Sequence, residues 1–336
     1  MRTAPAAALL TALLPAAAAT ADVAFAEQGK TLEITLSGKP LTTYRFGNEG
    51  GAAKPFFWPV AGPHGDPVTR AFPNVKGVPG ETADHPHHRG LHFTHGEVAR
   101  PGKPWVDFWA ESAKVQGKIV HKAFDPAPAA SGGTLAFGVR NEWLAPDGEK
   151  LVDEHTRWTI ADLGNGEVLF TAVITLAPAG GPVAFLDTKE GSLCFRVATS
   201  MDEKKAKPAT PGLLTGGRIV SSAGKTGEKE CWGKPADWID YVGPVAGKTV
   251  GVAIFDHPGN KPRVRWHVRA YGLFAANPFG SAAFNKANPK SELTLEPGQT
   301  LTLRYGVLIH AGDTQEGKVA QRYAEFVKAA APEGAK

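Results

Sequence analysis

Polar and apolar residues alternate with a period of two along much of this chain, which is the pattern of half-buried strands. "TLEITL" (31–36) alternates, Ser37-Gly38 makes a turn, and "LTTYRF" (41–46) alternates again, predicting a hairpin. Similar runs occur at 134–144, 155–161, 167–177, 193–198, 249–256, 264–269 and 301–310. Pro146-Asp147-Gly148 and Gly164-Asn165-Gly166 punctuate them, as turns do. Only 314–330 has helical spacing, with Val319, Tyr323, Phe326 and Val327 on one face and Asp313 or Thr314 placed to cap it. The turn-rich stretches 48–83, 201–216 and 280–290 read as long loops. The expectation is a large all-β antiparallel sandwich with a C-terminal helix, a jelly roll or barrel being the alternative.

Composition fits this picture, since 39 Gly and 27 Pro suit many short strands joined by turns. The N-terminus adds a compartment. Met1-Arg2, the apolar run Ala6–Leu14 and the small-residue site Ala19-Thr20-Ala21 read as a secretory signal peptide over residues 1–21. The remainder, 22–336, is expected to be a single exported domain, periplasmic or extracellular, with no later stretch apolar enough to span a membrane. The formal charge of +4 becomes +3 without Arg2, and Lys and Arg form no basic stripe, which argues against a nucleic-acid partner. Cys194 and Cys231 are the only cysteines. An oxidising compartment allows them to pair or to remain buried thiols.

Candidate chemistry concentrates in "DHPHHRGLHFTHG" (84–96), which holds five of the eleven histidines. If a strand begins near His88, then His88, His92 and Thr94 share one face, and Leu91, Phe93 and His95 the other. His88 and His92 are then the same-face pair, with His85 or His87 joining from the preceding turn. A second cluster spans 255–280. On "VRWHVR", Arg265, His267 and Arg269 share a face that cannot be apolar core, because unpaired buried charge is too costly. Tyr271 and Asn277 follow it. Aromatic faces beside hydrogen-bonding groups are what a sugar ring requires, so a polar cleft for a small-molecule or oligosaccharide substrate is the expected use. "FLDTKEG" (185–191) offers Glu190 as a general base and Asp187 as an orienting group. "PWVDFWAE" (104–111) supplies Asp107, Trp109 and Glu111, while Trp238 and Tyr241 offer a further aromatic wall.

Three functions compete on these residues. The first is a carbohydrate-active enzyme (epimerase, lyase or glycoside-cleaving) with His88, His92, Glu190 and His267 catalytic. Arg89, Asp107, Trp109, Trp238, Tyr241, Arg269, Tyr271 and Asn277 would then bind substrate. The second is a hydrolase or oxygenase using a divalent metal ion, with ligands drawn from His85, His87, His88, His92, Asp256 and His257. No HExxH or CxxC pattern supports a specific metal class. The third is a non-catalytic sugar-binding module.

"DHPHHRGLHFTHG", "VDFW", "DTKEG", "DYVGPVAGKTVGVAIFDHPGN" and "WHVRAYGLFAANPFG" together resemble the family labelled "methane oxygenase PmoA", from the opening hairpin to the last strand. The membrane monooxygenase subunit behind that label needs several transmembrane helices, which this sequence does not contain. The closing "LTLEPGQTLTLRYGVLIHAG" plus helix is similar to the end of galactose-mutarotase-like domains. That second resemblance implies a β-supersandwich and a catalytic His with a carboxylate, drawn here from His88, His92 or His267 with Glu190 or Asp256.

Overall fold

The computed structural model describes residues 22–111, 114–203 and 216–329. The expected signal peptide, most of the loop at 201–216 and the end of the chain lie outside these residues. The described residues form an antiparallel β-sandwich.

One layer is a nine-stranded sheet. Its order is Arg218–Ser221, Trp238–Val245, Lys248–Asp256, Leu301–Ala311, Glu167–Pro178, Lys150–Gly164, Thr134–Leu144 and Lys118–Phe124, with Ala129–Ser131 pairing beside Thr134–Leu144. The facing layer has two four-stranded parts. Val23–Gln28, Thr31–Leu36, Lys39–Arg45 and Phe56–Val60 form the first, and Arg265–Val268, Leu273–Asn277, Gly191–Arg196 and His92–His95 the second. A bridge between Phe57 and Leu91 joins them. Leu293–Leu295, Val183–Phe185 and Val98–Ala99 form a small separate sheet.

Period-two alternation fills the space between the layers. Val168, Phe170, Ala172, Ile174 and Leu176 point inward from one central strand, and Glu154, Thr156, Trp158 and Ile160 from its neighbour. Glu154 is tolerated there because Asn141, Trp143 and Thr156 all donate hydrogen bonds to its carboxylate. Close crossings depend on glycine in a few places. A Cβ at Gly138 would lie 1.8 Å from the Asp125 carbonyl oxygen, where the chain passes over this strand. Gly138→Ala is therefore expected to lose at least about 1–3 kcal/mol of folding free energy by overpacking. Urea unfolding measures it, and an unchanged midpoint would contradict the crossing.

The strand expectations hold at nearly every run named above, with ends shifted by a few residues. The loop expected at 48–83 contains the strand Phe56–Val60, whose alternation Pro55 and Pro59 obscure. The loop at 280–290 contains a single helical turn, Ser281–Phe284. The closing helix, expected at 314–330, begins only at Val319 and runs through Ala329, the last described residue. Residues 314–318 are instead a turn: the Asp313 carboxylate accepts the N–H groups of Gln315 and Glu316, and Lys318 is left-handed at φ 51°. Thr314 Oγ1 donates to Asp240 Oδ2 at 2.7 Å, and the other oxygen of Asp240 meets buried His310 Nε2 at 3.1 Å. This clasp fastens the segment to the outer face of the large sheet, where Val319 and Phe326 pack with Phe255 and Leu308. Both cysteines are buried free thiols.

Candidate functional site

The second four-stranded part carries the site on its outward face. Its register aligns His92, Cys194, Ala275 and His267 in one row across four strands. The adjacent row, Phe93, Leu193, Ala276 and Trp266, points into the core, so alternation alone sends the two imidazoles outward. The small Cys194 and Ala275 side chains leave room between them, and Trp109 lies over the row. Its ring centroid is 5.9 Å from that of His92 and 6.3 Å from that of His267. The cover makes the floor dry: His92, Cys194 and His267 are almost inaccessible.

Trp109 is fastened by charge. Asp107 accepts its backbone N–H at 2.8 Å, and buried Lys54 Nζ donates to its carbonyl at 2.8 Å. Lys54 also pairs with Glu111 at 3.1 Å, and Arg89 pairs with the same carboxylate at 2.6 Å. Arg89 thereby serves the scaffold, and its nearly buried guanidinium is committed to Glu111, Asn74 and Gly50.

Stacked rings form one wall. His85 lies parallel to His88 at 4.9 Å and to Tyr271 at 5.0 Å, and His87 packs against His88 and Trp109. His88 is not on a strand as expected. The regular strand begins only at His92, after the Leu91 bridge, and Gly90 before it is left-handed at φ 119°, where a Cβ would strike the Phe57 carbonyl at 2.4 Å. Behind the wall, buried Arg70 and Arg196 both ion-pair with Asp84, and Arg196 lies 4.9 Å over the Tyr271 ring. Glu190 and Arg269 stand at the rim, Glu190 Oε2 being 3.8 Å from His267 Nδ1. That is neighbourhood, not a hydrogen bond.

Burial sets the protonation states. It pushes the His267 and His87 pKa values down to about 3, with Arg269 and Lys54 respectively adding to the effect. It also holds His88 and His92 well below the ordinary histidine range. These imidazoles are neutral at neutral pH, so the Glu190–His267 approach is not an ion pair. Burial raises Glu190, and Asp107 adds to the rise against the pull of Lys189 and Arg269. Several polar atoms here have no hydrogen-bond partner among the described residues: both ring nitrogens of His92, Nδ1 of His267 and Nε1 of Trp109. The backbones of Gly90 and Lys189 lie near the His92 and His267 rings and raise their pKa values in part against the effect of burial.

The structure thus brings together His85, His87, His88, His92, Trp109, Glu190, His267, Arg269 and Tyr271, with Asp107 holding the backbone of Trp109. It places other expected residues elsewhere. Trp238 packs with Phe255, Leu308 and Phe326 under the closing helix. Tyr241 is fully buried, and its hydroxyl bonds the backbone of Glu203 and Arg269. Asn277 bridges Thr188 and Phe279, and Asp187 accepts the N–H groups of Ala282, Ala283 and Ser291. Asp256 is spent on Asn260 and Arg263, and His257 lies against Phe326, so neither can join His85 and His87 on a metal. Among the described residues no three His, Cys, Asp or Glu side chains converge as a ligand set would. The metal expectation finds no prepared site in these residues. Glu111, which the sequence places beside Asp107 and Trp109, is here the counter-ion of Lys54 and Arg89, whereas Lys54, Arg70 and Arg196 are site residues that the sequence does not single out. Arg196 carried a signal, since alternation in "LCFRVA" puts it on the face of Cys194.

Fold and site define an antiparallel β-sandwich with a dry, imidazole-floored site on the outward face of one sheet. The chain matches, over residues 31–324, the model of a family of unknown function, DUF6807, and belongs to that family. The family carries no assigned activity, so the oxygenase label of the motif resemblance finds no counterpart in it. No curated protein matches the sequence. Among solved structures, a polysaccharide lyase aligns at 12% identity and TM-score 0.33 over 92% of this chain and 35% of its own. A β-arabinopyranosidase aligns at 11% and 0.32 over 86% of this chain and 38% of its own. A GalM/aldose epimerase homologue from C. elegans aligns at 9% and 0.31, over 87% of this chain and 100% of its own. The chain therefore spans little more than a third of the lyase and the arabinopyranosidase. Among the described residues no helix is long and apolar enough to cross a membrane.

Proposed function

We propose that this protein is an exported carbohydrate-active enzyme, an epimerase, lyase or glycoside-cleaving enzyme, working by proton transfer. The observation that carries this reading is the unpartnered polar set of His92, His267 and Trp109 beside Glu190, roofed by aromatic rings. Buried polar atoms in native proteins are almost always paired, so four unpaired ones in one place invite a ligand rich in hydroxyl groups. Tyr271, half-buried in the wall, is the aromatic ring left for contact with the apolar side of a sugar, because Trp109 is itself buried as the cover of the imidazole row.

The roles follow from the protonation states. His92 and His267 are too weakly basic to hold a proton at neutral pH, which suits them to hydrogen-bond hydroxyls rather than to carry charge. Glu190, raised and a third exposed, is the proton carrier. Glu190→Gln is expected to lower kcat by about 10²–10⁴-fold while leaving sugar binding within a few-fold. Activity that depends on protonated Glu190 should also fall as pH rises through its elevated pKa. The assay is a panel: aldose epimerisation by NMR, elimination from uronate polymers by absorbance, and cleavage of chromogenic glycosides. Sugar binding by calorimetry without turnover on any of them would leave a binding module instead.

A further inference from the structure

We infer that His85 is a second proton-transfer residue of this site and that Asp84 positions it, an assignment that rests on the carbohydrate-enzyme reading above. His85 Nδ1 lies 2.7 Å from Asp84 Oδ2. Asp84 is ionised: burial pushes its carboxyl up, but Arg196, the His85 hydrogen bond and Arg70 together hold it below the usual carboxylate range. An ionised carboxylate only accepts, so Nδ1 must carry the proton. The remaining nitrogen, Nε2, is then a lone-pair acceptor in the neutral ring. The pair supplies a base and a group that orients it, which is the arrangement general-base chemistry uses.

Four features hold this ring in place. Asp84 Oδ1 takes the guanidinium groups of Arg70 and Arg196, both wholly buried. Arg70 Nη2 also donates to the His85 carbonyl at 3.0 Å, so one buried arginine fixes both members of the pair. The ring lies parallel to His88 and to Tyr271. The backbone of His85 is left-handed at φ 44°, uncommon for a residue with a side chain and frequent where function dictates geometry. All of this is spent on a side chain that remains 40% exposed, unlike the nearly inaccessible His88, His92 and His267. A surface histidine with no task needs no such anchoring.

The step balances simply. His85 Nε2 accepts a proton from a substrate O–H or C–H bond, the bonding pair staying with the substrate. The imidazolium that forms is stabilised by Asp84 across Nδ1–H. Glu190 supplies a proton to the other face or to a leaving oxygen, and both groups exchange protons with solvent before the next cycle.

Two measurements test the assignment. The first needs no substrate. Brief treatment with diethyl pyrocarbonate followed by peptide mapping should find His85 acylated faster than any other histidine, including exposed His64. Asp84→Asn should slow that reaction several-fold. Equal rates at His85 and His64, or no effect of Asp84→Asn, would overturn the orienting role. The second uses any sugar that the wild-type protein turns over. His85→Gly should lose about 10²–10⁴-fold in kcat with little change in KM. The melting temperature should be kept or raised, since glycine suits the left-handed backbone, and added imidazole should restore turnover in proportion to its concentration. Loss without rescue in a folded variant, or no loss, would overturn the assignment. If the wild-type protein turns over no sugar, it is the carbohydrate reading that fails, and the acylation experiment still decides for His85.

Discussion

Glu111→Ala is expected to remove about 3–5 kcal/mol of folding free energy, the largest loss from any single change at this site. The carboxylate is 3% exposed and faces two cations, Lys54 at 0% and Arg89 at 7%, so deleting it leaves two buried positive charges without a counter-ion. It would also free the Ala53 N–H that it accepts at 3.2 Å. The damage should extend to the site, because Lys54 holds the Trp109 carbonyl and Trp109 roofs His92 and His267. Chemical unfolding gives the loss directly, and tryptophan emission reports the roof. Glu111→Gln keeps the shape and removes the charge, and should fall between the two. A loss below about 1 kcal/mol would mean that water reaches this cluster.

Acid should unfold the protein over a steep range. Burial pushes His267 and His87 down to about 3, and His95 and His121 down to about 4. In the unfolded chain these imidazoles take up protons below about pH 6.5. In the folded chain they do so only near pH 3–4. Between those limits the unfolded state binds more protons, so stability is complete above pH 6.5 and is lost as pH falls. Each fully buried histidine contributes about 1.4 kcal/mol per pH unit to that slope. His95 and His267 alone then give about 2.7 kcal/mol per unit, with His87 and His121 adding less because solvent reaches them. Unfolding free energy measured by urea titration from pH 7 to pH 4 checks the slope. His95→Gln, able to keep the hydrogen bond to the Leu186 carbonyl, should flatten it by about one histidine's share. A flat profile over this range would show that these imidazoles are solvated.

How much of this could be read from the chain depends on how far apart the cooperating residues lie. Alternation in "VRWHVR" correctly separates His267 from Trp266 and Val268, and in "GLHFTHG" it separates His92 from Phe93. Both inferences need only local geometry. His88 lies outside the strand because Gly90 interrupts it, and a glycine is silent about φ until its neighbours are known. Trp238 and Tyr241 resembled a sugar platform in composition. Which face of a central strand is covered depends on the closing helix and on the opposite sheet, neither of which is encoded near them. Asp256 and His257 echo Asp84 and His85 in sequence, yet Arg263 and Asn260 capture the aspartate. Lys54, Arg70 and Arg196 were invisible as site residues because a buried cation is identified by its partners, and those lie far off in sequence.

The row His92, Cys194, Ala275, His267 has a consequence for how the protein comes into being. Its members come from three widely separated places, His92, Cys194 and the 265–277 hairpin that carries both Ala275 and His267, and Trp109 and Lys54 arrive from still other segments. No fragment contains the floor, so it cannot be nucleated by a local hairpin. Ala275 and His267 can meet within the 265–277 hairpin, but the entropy of closing long loops must be met before His92 or Cys194 joins them. The floor therefore belongs among the last features to form in folding. A local opening that releases only the 265–277 hairpin would dissolve it while the nine-stranded sheet stays intact.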